Sequence, residues 1–180
     1  MKDNKVSHAG EPTSAPARGG TNPSHRILVV DDDLCIRQLS GEVLTRSGYE
    51  VDIAEDGEAG WQALQARNYD LLITDNNMPM LSGVELIMKL RAKDIKLPVI
   101  LASGAIPTAE LNRHPWLQLA ATLLKPFTIE ELLGTVKKVL RAAESTRSRA
   151  EHYFPVLPGA VNQTELLTPG ASLNERIALG

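Results

Sequence analysis

Ile27-Leu28-Val29-Val30-Asp31-Asp32-Asp33 decides how the rest of the chain is read. Four aliphatic residues in a row, with no polar alternation, describe a strand covered on both faces. The run stops abruptly at acids, the mark of a buried strand delivered to a polar edge. The pattern recurs downstream. A strand expected over Tyr69–Thr74 ends at Asp75, followed by Asn76 and Asn77. Another, Leu97–Ala102, entered through Pro98, ends at Ser103, and Ala121–Leu124 ends at Lys125. Val51–Ala54 supplies the fifth strand.

Between the strands the period changes from continuous to helical. Ile36, Leu39, Val43 and Leu44 predict an apolar face on a helix stopped at Ser47-Gly48. Gly57–Arg67 predicts a second helix, and Val84, Ile87 and Met88 a third after the Ser82-Gly83 turn. Thr108–Asn112 begins a short helix cut by Pro115. Ile129, Leu132, Leu133, Val136, Val139 and Leu140 form one apolar stripe on the last helix, opened by the Thr128…Glu131 capping box. Five strand–helix units with continuously apolar strands predict a doubly wound α/β sandwich around a parallel sheet. Ligands in that architecture bind beyond the carboxyl ends of the strands.

Those ends carry the chemistry. Asp31 and Asp32, Asp75, Ser103 and Lys125 all fall on the same edge. Converging carboxylates repel unless a cation is present, and a hard divalent ion such as Mg²⁺ takes oxygen ligands. The lysine adds a point charge suited to a phosphoryl group, and the serine a hydroxyl. Asp75, at the centre of the sheet, is the candidate nucleophile for an aspartyl phosphate. Asp31 and Asp32 are the candidate metal holders, and Asp33 reads as the N-cap of the helix that starts at Leu34.

Composition agrees with this class and excludes others. The chain has 180 residues, 43% hydrophobic, 23% charged and 4% aromatic, with a net charge of −3. This is a soluble globular profile with an aliphatic core and no basic field for nucleic acid or anionic lipid. A single cysteine, Cys35, excludes an intrachain disulfide and a multi-cysteine metal site, and favours the cytoplasm. Cys35 itself is expected to pack on the first helix. His8, His25, His114 and His152 lack metal-ligand spacing. No run has the length of a membrane helix, and no signal peptide is expected.

Taken together, ILVVDDD (27–33), LLITDNNMPMLSGVELI (71–87), PVILASGA (98–105) and LLKPF (123–127) resemble the receiver domain of two-component response regulators, over about Arg26 to Ala143. The resemblance implies a five-stranded flavodoxin-like fold and a phosphorelay role. Asp75 matches the phosphoacceptor. Asp32 matches a metal ligand, Asp31 its acidic neighbour, and Asn77 the position whose backbone carbonyl joins Asp75 at the Mg²⁺. Ser103 matches the hydroxyl that turns toward the phosphoryl group, and Lys125 the lysine that pairs with it. Lys125–Pro126 matches the family's cis peptide. The implied donor is a phosphohistidine on a sensor histidine kinase or phosphotransfer protein, and the implied output is protein–protein contact. The chain would not count as an enzyme beyond its own phosphorylation and dephosphorylation.

Two departures bear on output. Gly104 stands where the family often has alanine, which opens the phosphoryl site to water. Thr122 stands where an aromatic usually couples to the hydroxyl residue. They favour one alternative, a binding module that keeps the fold without a phosphate switch. A haloacid-dehalogenase-like phosphatase is a second alternative, but it needs a second aspartate two residues after the nucleophile. Here that residue is Asn77, which cannot cycle a proton.

The flanks read differently. Residues 1–25 form a Gly/Pro-rich arm expected to be disordered. Residues 144–180 form a tail that begins as a linker or helix extension and has no recognisable output domain; direct DNA binding and membrane insertion are not expected. A downstream protein target and a homodimer are both compatible with this layout.

Overall fold

The computed structural model describes residues 25–152; the expectations for residues 1–24 and 153–180 lie outside them. The elements follow in strict alternation. They are β1 (Arg26–Val30), α1 (Leu34–Arg46), β2 (Glu50–Ala54), α2 (Gly57–Ala66), β3 (Leu71–Asp75), α3 (Gly83–Ala92), β4 (Val99–Ser103), α4 (Thr108–Arg113), β5 (Ala121–Leu124) and α5 (Ile129–His152). A 3₁₀ turn at Pro115–Leu117 follows the short α4. β3 and β4 lie one to two residues later than the sequence predicts.

The five strands are all parallel, in the order β2-β1-β3-β4-β5. β3 and β4 are buried at every position, which is why their sequences carry no polar alternation. Side chains alternate between two cores. Leu28, Val30, Leu72, Val99 and Leu101 pack with Val84, Leu86, Ile87 and Leu90 of α3. Ile27, Val29, Leu71, Ile73, Ile100 and Leu123 pack with Leu44 of α1 and with Leu132, Val136, Val139 and Leu140 of α5.

Local signals set the helix ends. Asp33 caps α1, its carboxylate accepting from the backbone N–H of Cys35 and Ile36. Gly48, at φ 94°, ends the helix in a left-handed conformation that favours glycine. Ser82 and Glu85 close a capping box on α3. Thr128 and Glu131 do the same on α5, with bonds of 2.7 and 3.2 Å between backbone and side chain.

Three expectations are corrected. The buried face of α1 is Arg37, Ser40, Gly41 and Leu44, while Leu39 is exposed. Small residues are needed there because a Cβ on Gly41 would stand 3.1 Å from Ile53 Cγ2. Cys35 is exposed, because it lies off the Arg37–Ser40–Gly41–Leu44 face that α1 turns to the sheet. Ile129, the first residue of α5, is exposed at the start of its stripe. Of the two readings open beyond Ala143, linker or helix extension, α5 takes the second and continues without a break to His152. Glu144 lies 3.0 Å from His25 Nε2, and Arg147 lies 3.2 Å from Asp70.

Candidate functional site

The strand order reverses between β1 and β3, whose neighbours diverge to opposite edges. This switch point opens a crevice at the carboxyl ends of the two strands. Asp31 follows β1 and Asp75 ends β3, so the topology alone brings them together. Asp31, Asp32 and Asp75 each contribute a carboxylate oxygen to a group lying within 4.8 Å of one another. Asp31 and Asp75 are buried, and Asp32 is exposed.

Lys125 closes the group from β5. Its Nζ donates to Asp31 Oδ2 at 2.7 Å and lies 3.1 Å from Asp75 Oδ2. Its backbone N–H donates to the carbonyl of Ser103 at 2.9 Å, which ties the ends of β4 and β5 together. The following Lys125–Pro126 peptide is cis, as the family resemblance implies.

Burial and charge act against each other here. Burial pushes the Asp31 carboxyl above its ordinary pKa; the hydrogen bond and charge of Lys125 pull it back only in part. Burial pulls Lys125 down, but its hydrogen bonds and attraction to Asp31 and Asp75 together outweigh that and hold it above the ordinary lysine value.

The loop after Asp75 is built to hold that residue. The Asp75 carboxylate accepts from the backbone N–H of Asn76 at 2.6 Å. The Asn76 side chain in turn accepts from the N–H of Val84 at the start of α3, at 3.2 Å. Gly83 lies so close that a Cβ there would stand 2.0 Å from the Asp75 carbonyl oxygen. Gly57 does the same to Leu81 on the far side of the loop, with a Cβ only 2.3 Å from a carbonyl oxygen.

Ser103 is at the predicted strand end but is not joined to the acids. Its hydroxyl donates to the carbonyl of Ala105 at 2.9 Å, within its own loop. Asn77 is exposed beside Asp75, and its backbone carbonyl accepts no hydrogen bond among the described residues. Sequence reasoning missed Arg37, Asn76, Gly57 and Gly83. The two glycines were visible only as turn or helix-start signals; their close approaches are tertiary. Arg37 was masked by its polarity.

The donor set fits a hard divalent cation. Three carboxylates and one ammonium leave a fixed charge of −2 (−3 from the acids, +1 from Lys125) in a small volume. The free carbonyl of Asn77 adds a neutral oxygen of the kind Mg²⁺ accepts.

Fold and site together define a doubly wound α/β protein with an acidic, lysine-closed pocket at its switch point. Residues 27–137 match the response regulator receiver domain, and the chain belongs to that family, the receiver domains of two-component signalling. It is 35% identical over 142 residues to the transcriptional regulatory protein PrrA of Mycobacterium tuberculosis, covering 78% of this chain and 59% of that protein. It is 36% identical over 134 residues to the response regulator MprA of Mycobacterium bovis, covering 70% and 57%. The match thus spans less than two thirds of the length of either relative. Among solved structures, the chemotaxis response regulator CheY4 of Vibrio cholerae superposes with TM-score 0.60 at 30% identity, over 64% of this chain and 98% of that one. A CheY-like receiver domain protein from Methanospirillum hungatei gives 0.65 at 27% identity, over 68% and 98%.

Proposed function

We propose that this chain is a phosphoacceptor switch. Asp75 takes a phosphoryl group from a phosphohistidine on a sensor kinase or phosphotransfer protein and signals by protein contact in the cytoplasm. The observation that carries the reading is the placement of one ammonium, Lys125, on both Asp31 and Asp75 beside Asp32. An Asp75 carboxylate oxygen attacks phosphorus as the bond from phosphorus to the donor imidazole breaks, and the imidazole keeps the electron pair. Asp31, Asp32, Asp75 and the Asn77 carbonyl would hold Mg²⁺. When bound, the ion neutralises charge on the transferring oxygens. Lys125 exchanges its carboxylate partners for a phosphoryl oxygen, and Ser103 gives up its own-loop bond to Ala105 to donate to another. Catalysis extends no further than the chain's own phosphorylation and dephosphorylation.

The donor's approach is open on one side. Ile36 and Leu39 of α1, with Ser40, Lys125, Pro126 and Phe127, line an apolar depression of about 330 Å³ beside the lysine. Leu34 and Leu39 are both more than half exposed. An apolar surface flanking the nucleophile suits a helical partner carrying the phosphohistidine. Among the described residues no helix is long and apolar enough to cross a membrane. PrrA is a transcriptional regulatory protein, MprA a response regulator and CheY4 a chemotaxis response regulator, so the relatives do not point to a single output.

Incubation with Mg²⁺ and a small acyl phosphate adds one phosphoryl group to the intact mass, and Asp75→Asn abolishes it. No addition to either protein overturns the reading in favour of the phosphate-independent binding module.

A further inference from the structure

We propose that Arg37 is a positioning residue for the acidic cluster: its guanidinium clamps the backbone just before Asp32, so that Asp31 and Asp32 stand ready for a divalent cation. The proposal rests on the cation-dependent phosphoacceptor reading above and deepens it.

Arginine is rarely this buried without a carboxylate partner. Arg37 is 8% exposed and forms no ion pair among the described residues. Its Nη1 instead donates to the backbone carbonyl of Asp31 at 2.5 Å. Its own backbone N–H donates to the carbonyl of Asp33 at 2.9 Å, closing the first turn of α1. The guanidinium therefore grips the residue before Asp32, while a main-chain bond independent of the side chain fixes the residue after it.

Those two neighbours are otherwise fully engaged. Asp31 N–H donates to Ala54 at 3.2 Å, Asp31 Oδ1 accepts from Asp33 N–H at 3.0 Å, and Asp31 Oδ2 takes Lys125. Asp33 caps α1. Asp32 makes no hydrogen bond or ion pair among the described residues, so its direction is set by the backbone on either side. Lys125 leaves Asp31 when a phosphoryl group is present, and the Arg37 contact is then one of those that remain.

Charge alone argues against an arginine here. A buried guanidinium beside a cation site repels the cation, so removing it should tighten Mg²⁺ binding. Removing a clamp should weaken it. The two effects have opposite sign, which makes the experiment decisive.

The full chain is titrated with Mg²⁺ in the absence of any phosphoryl donor, by calorimetry and by the amide shifts of Asp32 and Asn77. Melting temperature is recorded for each variant. Arg37→Met is expected to weaken Mg²⁺ binding roughly tenfold, the usual scale for residues that orient metal ligands. Arg37→Lys, which keeps a donor on a long stem, recovers most of that loss. Leu44→Ala, buried on the same helix face, lowers the melting temperature and leaves Mg²⁺ affinity unchanged. Should Arg37→Met fail to fold, Arg37→Gln carries the same expectation, because its amide is too short to hold the Asp31 carbonyl. Equal or tighter binding in a folded Met or Gln variant overturns the clamp while leaving the phosphoacceptor reading intact. A wild-type chain that binds no Mg²⁺ overturns both.

Discussion

Lys125 and Asp31 stand 94 residues apart in the chain, yet the ammonium and carboxylate meet at 2.7 Å. The same ammonium reaches Asp75 at 3.1 Å, so a single cation holds two buried acids on neighbouring strands. Removing it leaves both uncompensated. Lys125→Met is expected to cost about 3 kcal/mol in the absence of divalent cation, the scale for breaking a buried pair. Millimolar Mg²⁺ should restore more stability to this variant than to the wild type. Urea unfolding with and without Mg²⁺ measures both. Equal Mg²⁺ increments in the two proteins would show that the lysine and the cation do not share the same acids.

Asp31 gives the pocket a pH dependence of unusual sign. Burial raises its pKa in the fold, against the pull of Lys125. The folded chain therefore binds more protons than the unfolded one, and stability falls as pH rises through the window above the ordinary carboxylate value. Lys125, also raised, contributes stability that is present below its ordinary pKa and lost as pH rises through its folded value. In chelator, Asp31→Asn should thus gain stability relative to wild type as pH rises above the ordinary carboxylate value of about 4. With Mg²⁺ at pH 7 the order should reverse, because the variant lacks a cation ligand. A variant whose offset from wild type is flat with pH would show that Asp31 is not the group responsible.

How much of this was legible in the sequence depends on whether burial or proximity held each part. The strands were readable because Leu71-Leu72-Ile73 and Val99-Ile100-Leu101 lie between two cores and leave no polar trace. The acids and lysine were readable because parallel strands must end on one edge, whatever the helices do. The face of α1 was not. Ile36 and Leu39 suggested the inner side, yet Arg37, Ser40 and Gly41 fill it, because close approach to β2 and a bond to Asp31 matter there more than apolar area. The continuation of α5 was only half legible, as a helix extension or a linker, since its anchors Glu144 and Arg147 sit in an otherwise polar run. Ser103 was placed correctly on its strand, but its hydroxyl partner, Ala105, follows from loop geometry that no spacing encodes.

Two glycines in the site differ sharply in what they tolerate. A Cβ at Gly83 would meet the Asp75 carbonyl oxygen at 2.0 Å, the Asp75 carbonyl carbon at 2.9 Å and Asn76 Cα at 3.1 Å, all backbone atoms. Gly83→Ala should therefore cost about 3 kcal/mol, the upper range for overpacking, and slow phosphorylation by displacing Asp75. At Gly104 a Cβ would meet nothing within 4 Å. Gly104→Ala should change stability by less than about 1 kcal/mol and lengthen the life of the phosphorylated form by shielding it from water. Thermal melts and the decay of the phosphorylated mass test the pair. A destabilised Gly104→Ala, or an unaffected Gly83→Ala, would contradict the geometry.

The part of α5 beyond Ala143 is attached to the domain by polar contacts at the opposite edge of the sheet. His25 Nε2 and Glu144 stand 3.0 Å apart, and Arg147 and Asp70 stand 3.2 Å apart. Asp70 also accepts from the backbone N–H of Arg26 at 3.0 Å, so the helix is bound to the residues that open β1 and precede β3. Pairs with this much exposure contribute at most about 1 kcal/mol each and are screened by salt. The double substitution Glu144→Gln with Arg147→Gln leaves residues 153–180 in place and removes only the two attachments. It should lower stability by about 1 kcal/mol at low ionic strength and speed amide exchange between residues 144 and 149. The difference should shrink in concentrated salt, because screening weakens the wild-type pairs and leaves the variant unaffected. Exchange rates that match wild type at low salt would mean that the helix beyond Ala143 holds itself without these contacts.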